Sequence, residues 1–370
     1  MSINQNNRNT SQGLSMTSSA RDEGGSAGIR NEKQSAVTLQ MVKGEHMRLF
    51  IMALLVIPST ALAGWSLYKI FLPNGFTTLE VAQLTLGLTL FAWLCMAFWT
   101  GIIGFFLQLF NIDPLSLRKK QITPSTLTPI TKRHAVVMPV YNEDTRRIMV
   151  GFEACIRELM DSKSKDNFDF FMLSDTRDIE KADAELRAFT RLQKRLGAFA
   201  SQVFYRRREQ NLHRKVGNLK EFCERWGANY EAMIVLDADS VMSGERMQDL
   251  ARRIEQNADT ALVQTIPMPV RQHTFFGRFV QFAAHLYSPM LATGLSFWQT
   301  DSANYWGHNA IIRIAPFMQH CGLPTLEGRA PFGGEILSHD FVEAALLRRA
   351  GWHAYLLTET TGSYEEVPSN

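Results

Sequence analysis

The sequence predicts an α/β domain with a mostly parallel sheet, preceded by two transmembrane helices. Three observations predict it. From about Ile130 onward, short apolar runs alternate with polar stretches of helical length, as in a sheet whose strands are covered on both faces. Several runs end abruptly in carboxylates, most plainly Met233–Leu236, which leads straight into Asp237-Ala238-Asp239. Such strands open at their C-terminal ends, where α/β sheets hold ligands. Ahead of this region lie two stretches apolar enough to cross a bilayer, which takes about 20 residues.

Composition narrows the class. At 45 % apolar and 20 % charged, the 370-residue chain can build a sizeable core, as one large or two ordinary domains. A net charge of +3 is too slight to argue for a nucleic-acid partner. Cys95, Cys155, Cys223 and Cys321 stand far apart without a C-x-x-C, so neither a disulfide framework nor a zinc site is expected. A reducing compartment fits that usage.

Residues 1–42 are expected to form a disordered cytoplasmic tail. The first forty hold no aromatic and are rich in Ser, Asn, Gln and Gly. No apolar core follows a basic start there, so this is not a signal peptide. The first membrane helix is expected within 43–72, around the apolar Leu49–Leu72. Its Lys69 lies near the end and can snorkel, and Pro58 is tolerable if neighbours satisfy the freed carbonyl. The second, 81–110, carries no charge and includes Trp93 and Trp99; its length implies tilt. The loop between them has Glu80 and no basic residue. Lys43 and Arg48 precede the first span, and Arg118, Lys119 and Lys120 follow the second. The positive-inside rule then puts both ends in the cytoplasm, with a short periplasmic hairpin.

The remaining region, 130–370, reads as one domain. Its first buried run is Ala135–Met138, which Pro139 is expected to end. Tyr141, Asn142 and Glu143 follow on the loop. An aromatic face and an amide beside a carboxylate suit a nucleoside; an ordinary β-to-α turn with Asn142 as helix cap would look alike. A helix over Arg146–Met160 leads to the strand Phe168–Leu173, after which Asp175 can accept from a base N–H or a ribose hydroxyl. Asp178 reads as a helix-start charge, and Ile179–Leu196 as an exposed helix.

Arg206, Arg207, Arg208, Arg214, Lys215 and Lys220 then form a basic cluster interrupted by Gly217-Asn218. A polyphosphate needs cations and approachable backbone amides, and Lys215, near the glycine, is the best placed. A solvated basic face or contact with anionic lipid is the alternative. The helix Asn218–Trp226 leads to the D-A-D. Two carboxylates on alternate residues suit a hard cation such as Mg²⁺ or Mn²⁺. The plainer reading is that they cap the next helix.

Beyond the strand Ala261–Thr265, Phe275, Phe279, Phe282 and Leu286 share one helical face. A helix packed into the core is expected, with a membrane-surface helix as the alternative. Gly307-His308-Asn309 precedes a short strand and could line an acceptor pocket, although a lone histidine is often structural. Gly333-Gly334 reads as a flexible loop. Ser338 can cap a helix that runs to Arg349, with Gly351 as its stop. Asp340 then lies in the first turn, where the helix dipole favours negative charge. There it is either a general base or a plain first-turn acid.

In order, "MPVYNED", the Asp175 station, "DAD", "GHNAIIR" and "SHDFVEAALLRRAGW" resemble the processive family-2 glycosyltransferases. "LSDTRD", "YRRREQN", "RKVGNL" and "LDADSVMSGE" are more narrowly similar to the bacterial glucosyltransferases that make the glucose backbone of osmoregulated periplasmic glucans. The resemblance covers essentially everything from Met41 on. It implies a GT-A fold at the inner membrane, UDP-glucose as donor and a divalent cation, Mg²⁺ or Mn²⁺. Asp175 would bind uridine, Asp237 and Asp239 the metal on the diphosphate, and Lys215 the diphosphate itself. Tyr141, Glu143 and His308 would complete the binding set, and Asp340 would be the catalytic base. The resemblance also implies a growing β-glucan acceptor, membrane lipid and acyl carrier protein as partners, and further spans for export.

The chemistry agrees with the residues. UDP is the leaving group, and a metal neutralises its developing charge. A single displacement needs one base and no second nucleophile. The sequence departs from the family in one respect: its Q-x-x-R-W-type motif does not follow the base. Arg225-Trp226 lies upstream of the D-A-D, so the chain ending at Asn370 is expected to be the N-terminal portion of a longer enzyme. Another family-2 polysaccharide synthase, of cellulose or hyaluronan type, remains an alternative. So does a non-catalytic membrane-anchored UDP-sugar-binding protein.

Overall fold

The computed structural model describes residues 44–119, 129–329 and 333–366. The expected tail at 1–42 lies outside the described residues, as do Lys43 and Lys120 of the charge argument. Helices α1 (Glu45–Phe71) and α2 (Thr78–Leu109) are both long and apolar enough to cross a membrane. Thr77 and Glu80 start α2 with a reciprocal capping box. Trp99 Nε1 donates to Ser59 Oγ at 3.1 Å and ties the two helices together. Their outward side chains, Leu62, Trp65, Leu86 and Trp93 among them, are exposed.

The domain that follows begins with β1 (His134–Val140), α3 (Thr145–Met160), β2 (Phe168–Ser174), α4 (Ile179–Leu196) and β3 (Val203–Arg207). It continues through α5 (Arg214–Trp226), β4 (Ala232–Val235), β5 (Ser240–Met242), α6 (Gly244–Gln256), β6 (Thr260–Gln264) and β7 (Met268–Pro269). Last come α7 (Phe275–Gln299), β8 (Ala310–Arg313), α8 (Ile314–His320), α9 (His339–Arg349), β9 (His353–Leu356) and β10 (Ser363–Glu365). Among the described residues, seven strands form the main sheet in the order β3-β2-β1-β4-β8-β6-β9. Every neighbouring pair is parallel except those of β8, which runs against both β4 and β6. A smaller sheet, β5-β10-β7, stands beside it. Helices cover both faces of the main sheet, so Val136, Val137, Ile234 and Val235 are all fully buried. That is why the strands read as continuous apolar runs rather than alternation.

The structure corrects four local expectations. Pro139 does not end β1; it pairs with Leu173 inside the strand. Val137 accepts from Leu236 N–H, so odd-numbered residues of β1 face β4, and that ladder has already ended at Val137–Val235. Residue 139 therefore has no ladder donor to lose. Helix α4 has the expected ends but is not simply exposed, since Ala182, Glu185, Phe189, Leu192 and Leu196 are buried. Helix α5 starts a turn early, and Gly217 lies inside it. A side chain there would drive into the Leu212 carbonyl, so the glycine serves a close backbone crossing rather than an open loop.

Helix α7 is the largest departure. Phe275, Phe279, Phe282 and Leu286 are 89, 61, 67 and 62 % exposed, so the expected core packing fails for this half. The C-terminal half instead crosses α2. Side chains at Gly104 or Gly294 would collide with the Met290 or Thr100 carbonyl, so two glycines let the backbones meet. Buried Arg48 of α1 pins the junction by donating to Phe297 O at 2.9 Å and Pro114 O at 2.8 Å. A helical period reports that one face is apolar, not which apolar medium it meets.

Candidate active site

The C-terminal ends of β1, β2 and β4 open into a cavity of about 1530 Å³. Tyr141, Glu143, Asp175, Lys215, Asp237 and Asp239 all line it. The central turn is fixed by backbone: Leu236 N–H donates to Val137 at 2.9 Å, and Asn309 N–H to Val235 at 2.7 Å. Helix α6 is capped by Ser243, which accepts from Arg246 N–H. The D-A-D carboxylates are thus not caps, and both face other side chains.

Asp237 forms an ion pair with Lys215 through Oδ1, and its Oδ2 lies 3.4 Å from His308 Nδ1. His308 Nε2 is 2.9 Å from Glu365 Oε2. Burial alone would lower the His308 pKa, but Glu365 and Asp237 outweigh it and raise it. Asp239 lies 3.9 Å from Arg147, which pairs with Glu366 at 3.0 Å. Burial, and then the Asp237 charge, push the Asp239 carboxyl above its ordinary range. Arg271 also meets Glu366, at 3.1 Å, and the Glu366 N–H donates to the Asp239 carbonyl at 3.2 Å, which ties the end of β10 to the cavity's acidic turn.

Asp340 occupies the first turn of α9, as expected. Ser338 stands at the N-cap position, but its side chain makes no cap bond. Asp340 Oδ2 would be 3.3 Å from a Cβ on Gly307, whose φ of 85° also favours glycine. The carboxylate is thereby held against the residue that precedes His308. One turn on, Glu343 is buried, which raises its pKa despite the neighbouring His339.

On the other side of the cavity, Tyr141 is half exposed at 48 %. Asn142 does not cap α3; Asp144 does, accepting from Arg147 N–H at 2.9 Å. Asn142 instead joins two loops. Its amide donates to Thr176 Oγ1 at 3.0 Å, and its Oδ1 accepts from the amides of Arg177 and Asp178 at 3.2 Å each. Asp178 caps α4. Asp175 is 4 % exposed and gripped by Arg208 in two hydrogen bonds of 2.6 Å.

The expected basic cluster does not form one face. Arg206 turns to Glu221 and Asn218, Arg207 donates to the Thr176 carbonyl, and Lys220 lies 3.9 Å from Glu224. Arg214, 3.5 Å from Glu335, and Lys215 are the members that line the cavity beside Asn211 and Asn218. Reading the sequence missed Arg147, Arg271, Glu365 and Glu366. Arg147 had a signal, one turn after the first strand's loop; the others meet it only through the second sheet.

The donor set suits a hard divalent cation. It offers two carboxylates on one turn, with an imidazole beside Asp237 and no thiolate. Among the described residues no three His, Cys, Asp or Glu side chains could hold an ion by themselves. Further ligands would have to come from a bound diphosphate and water, as is usual for Mg²⁺.

A mostly parallel sheet with one reversed strand, an acid after β2 and a D-A-D after β4 define an α/β glycosyltransferase domain of GT-A type. Residues 135–321 match Glycosyl transferase family 2, and the chain belongs to that family. It is similar to proteins named glucans biosynthesis glucosyltransferase H. The one from Cupriavidus pinatubonensis is 42 % identical over 327 residues, which are 88 % of this chain and 38 % of that one. The Vibrio cholerae protein is 43 % identical over 87 % of this chain and 43 % of its own length. The Xanthomonas campestris protein is 40 % identical over 93 % and 52 %. This chain thus spans about two fifths to one half of these relatives. Among solved structures, the mannosyltransferase PcManGT from Pyrobaculum calidifontis, in complex with GDP-Man and Mn²⁺, aligns with a TM-score of 0.42. That alignment has 14 % identity and covers 74 % of this chain and 68 % of that one.

Proposed function

We propose that the chain acts as a membrane-anchored inverting glucosyltransferase. It takes glucose from UDP-glucose, with Mg²⁺ or Mn²⁺, and adds it to a growing β-glucan of the osmoregulated periplasmic kind. One observation carries this reading: a single cavity is lined by Asp175, Asp237 and Asp239, and Asp340 lies against Gly307, next to the His308 that faces Asp237.

Each residue has a share in the chemistry. Tyr141 offers a face for the base and Asp175 an acceptor for its N–H. Asp237 and Asp239 would hold the cation, which neutralises charge on the departing diphosphate. Lys215, paired with Asp237, would add a second positive charge beside the same phosphates. Asp340 takes the proton from the attacking hydroxyl of the glucan on the opposite side of the anomeric carbon. One displacement then converts an α-linked donor into a β-linked product.

The anchor reading rests on α1 and α2, with both ends cytoplasmic. The uncovered aromatic face of α7, which packs on α2, supports contact with membrane lipid as well. Reporter fusions at residues 75 and 125 test the topology; a periplasmic signal at 125 contradicts it. An acyl carrier protein partner rests on the resemblance alone.

The functional test is turnover of labelled UDP-glucose by the chain in membranes. Asp340→Asn should leave UDP binding near the parent level and cut turnover by about 100-fold or more, because an amide cannot take the proton. Turnover within a few-fold of the parent would make Asp340 a helix-start acid only. UDP-glucose binding without any turnover, even in a chain extended by the region its longer relatives carry, would favour a non-catalytic sugar-nucleotide binder.

A further inference from the structure

The nucleoside end of the cavity rests on a carboxylate that no step above uses. Glu185, on α4, is fully buried. Its Oε2 accepts from Ser174 Oγ at 2.7 Å and from the Tyr205 hydroxyl at 3.1 Å; its Oε1 accepts from Thr176 Oγ1 at 2.6 Å. Three hydroxyls, rather than a cation, therefore hold this acid. Burying a carboxylate is costly, and Ala182, Phe189 and Leu192 show that apolar residues fill the rest of that helix face. Core filling alone does not account for Glu185.

Its partners do. Ser174 and Thr176 flank Asp175. Because both hydroxyl protons point down to Glu185, both oxygens are left to accept from above. Ser174 Oγ accepts from Thr176 N–H at 3.2 Å, and Thr176 Oγ1 from Asn142 N–H at 3.0 Å. The second bond carries the network into the Tyr141–Glu143 loop, and Asn142 returns it to the amides of Arg177 and Asp178. One buried acid thus fixes the two loops that present Tyr141 and Asp175. Tyr205 is kept protonated as a donor: burial first, then Glu185, push its pKa up to about 12.

We infer that Glu185 is a positioning residue for the donor's nucleoside, setting the mutual placement of Asp175 and Tyr141 from beneath without touching the donor. The inference rests on the UDP-sugar reading. A neutral amide at 185 could not accept from all three hydroxyls, since one of its two positions is a donor. Glu185→Gln therefore keeps the volume and breaks the network.

The test uses the full chain and two probes, UDP and inorganic pyrophosphate, each titrated in Mg²⁺, with the melting temperature recorded alongside. Thr176→Val is the second variant; it cuts the same network, leaves the buried acid in place, and decides the matter if Glu185→Gln does not fold. Both variants should bind UDP about ten-fold more weakly or worse, while pyrophosphate binding stays within about two-fold. The parent's preference for UDP over pyrophosphate should collapse accordingly. A lower melting temperature with that preference intact in the variants would overturn the positioning role and leave Glu185 structural. A parent chain with no preference for UDP would overturn the donor reading, and this inference with it.

Discussion

The two ends of the cavity are built differently. At the β2 end the charged groups are buried and matched: Asp175 is 4 % and Arg208 9 % exposed, and Glu185 is saturated by hydroxyls. At the β4 end the groups are half exposed, and each charge has a partner it could exchange. Lys215 and Asp237 keep 26 and 35 % of their side-chain surface, and Asp239 43 %. A preformed end suits a part of the ligand that never changes, and an exchangeable end suits a diphosphate that arrives with a cation and leaves. On the proposed donor reading, the matched end would hold the nucleoside and the exchangeable end the diphosphate.

The sharpest way to break that comparison is to remove one cation from each end. Arg208→Ala strands Asp175 without a partner inside the fold, and should cost about 3–5 kcal/mol of stability. Lys215→Ala removes a part-exposed partner, and should cost about 1 kcal/mol or less while weakening UDP binding in Mg²⁺. Melting curves and UDP titrations of both variants decide it. Equal destabilisation by the two would mean that the ends do not differ in this way.

A smaller effect concerns the closed end of the sheet. There Glu255 accepts from His134 and from the Thr131 and Lys132 amides. Burial opposes its charge, but those bonds win and lower its pKa to about 2 from an ordinary 4.5. A depressed carboxyl contributes stability above its unfolded value that is lost as the pH falls through its folded one. The melting difference between the parent and Glu255→Gln should be full at pH 7 and shrink between about pH 4.5 and pH 2. A difference that does not change with pH would remove Glu255 from the charge network and leave only its packing.

Much of this was legible in the sequence, for local reasons. Helix α4 has the expected ends because Asp178 and Gly197 punctuate it within the chain. Tyr141, Glu143, Asp175, Asp237 and Asp239 could be singled out because each sits just past an apolar strand, and Lys215 because it is a cation near Gly217. What escaped depends on residues far apart in the chain. Arg208 looked like one of several phosphate-binding cations, but its partner is 33 positions away. Glu365 and Glu366 carry no motif, and they meet His308 and Arg147 only because β10 joins the second sheet. The exposed face of α7 has the same period as a core helix, so only its neighbours distinguish the two.

The role proposed for the Asp237–Asp239 turn is to hold a cation on which UDP binds. The most direct measurement is calorimetry of UDP with the parent chain and with Asp239→Ala, each with and without Mg²⁺. Mg²⁺ should strengthen UDP binding to the parent by about ten-fold or more, and Asp239→Ala should remove this gain while keeping the weaker metal-free binding. Equal binding by both proteins in Mg²⁺ would contradict it.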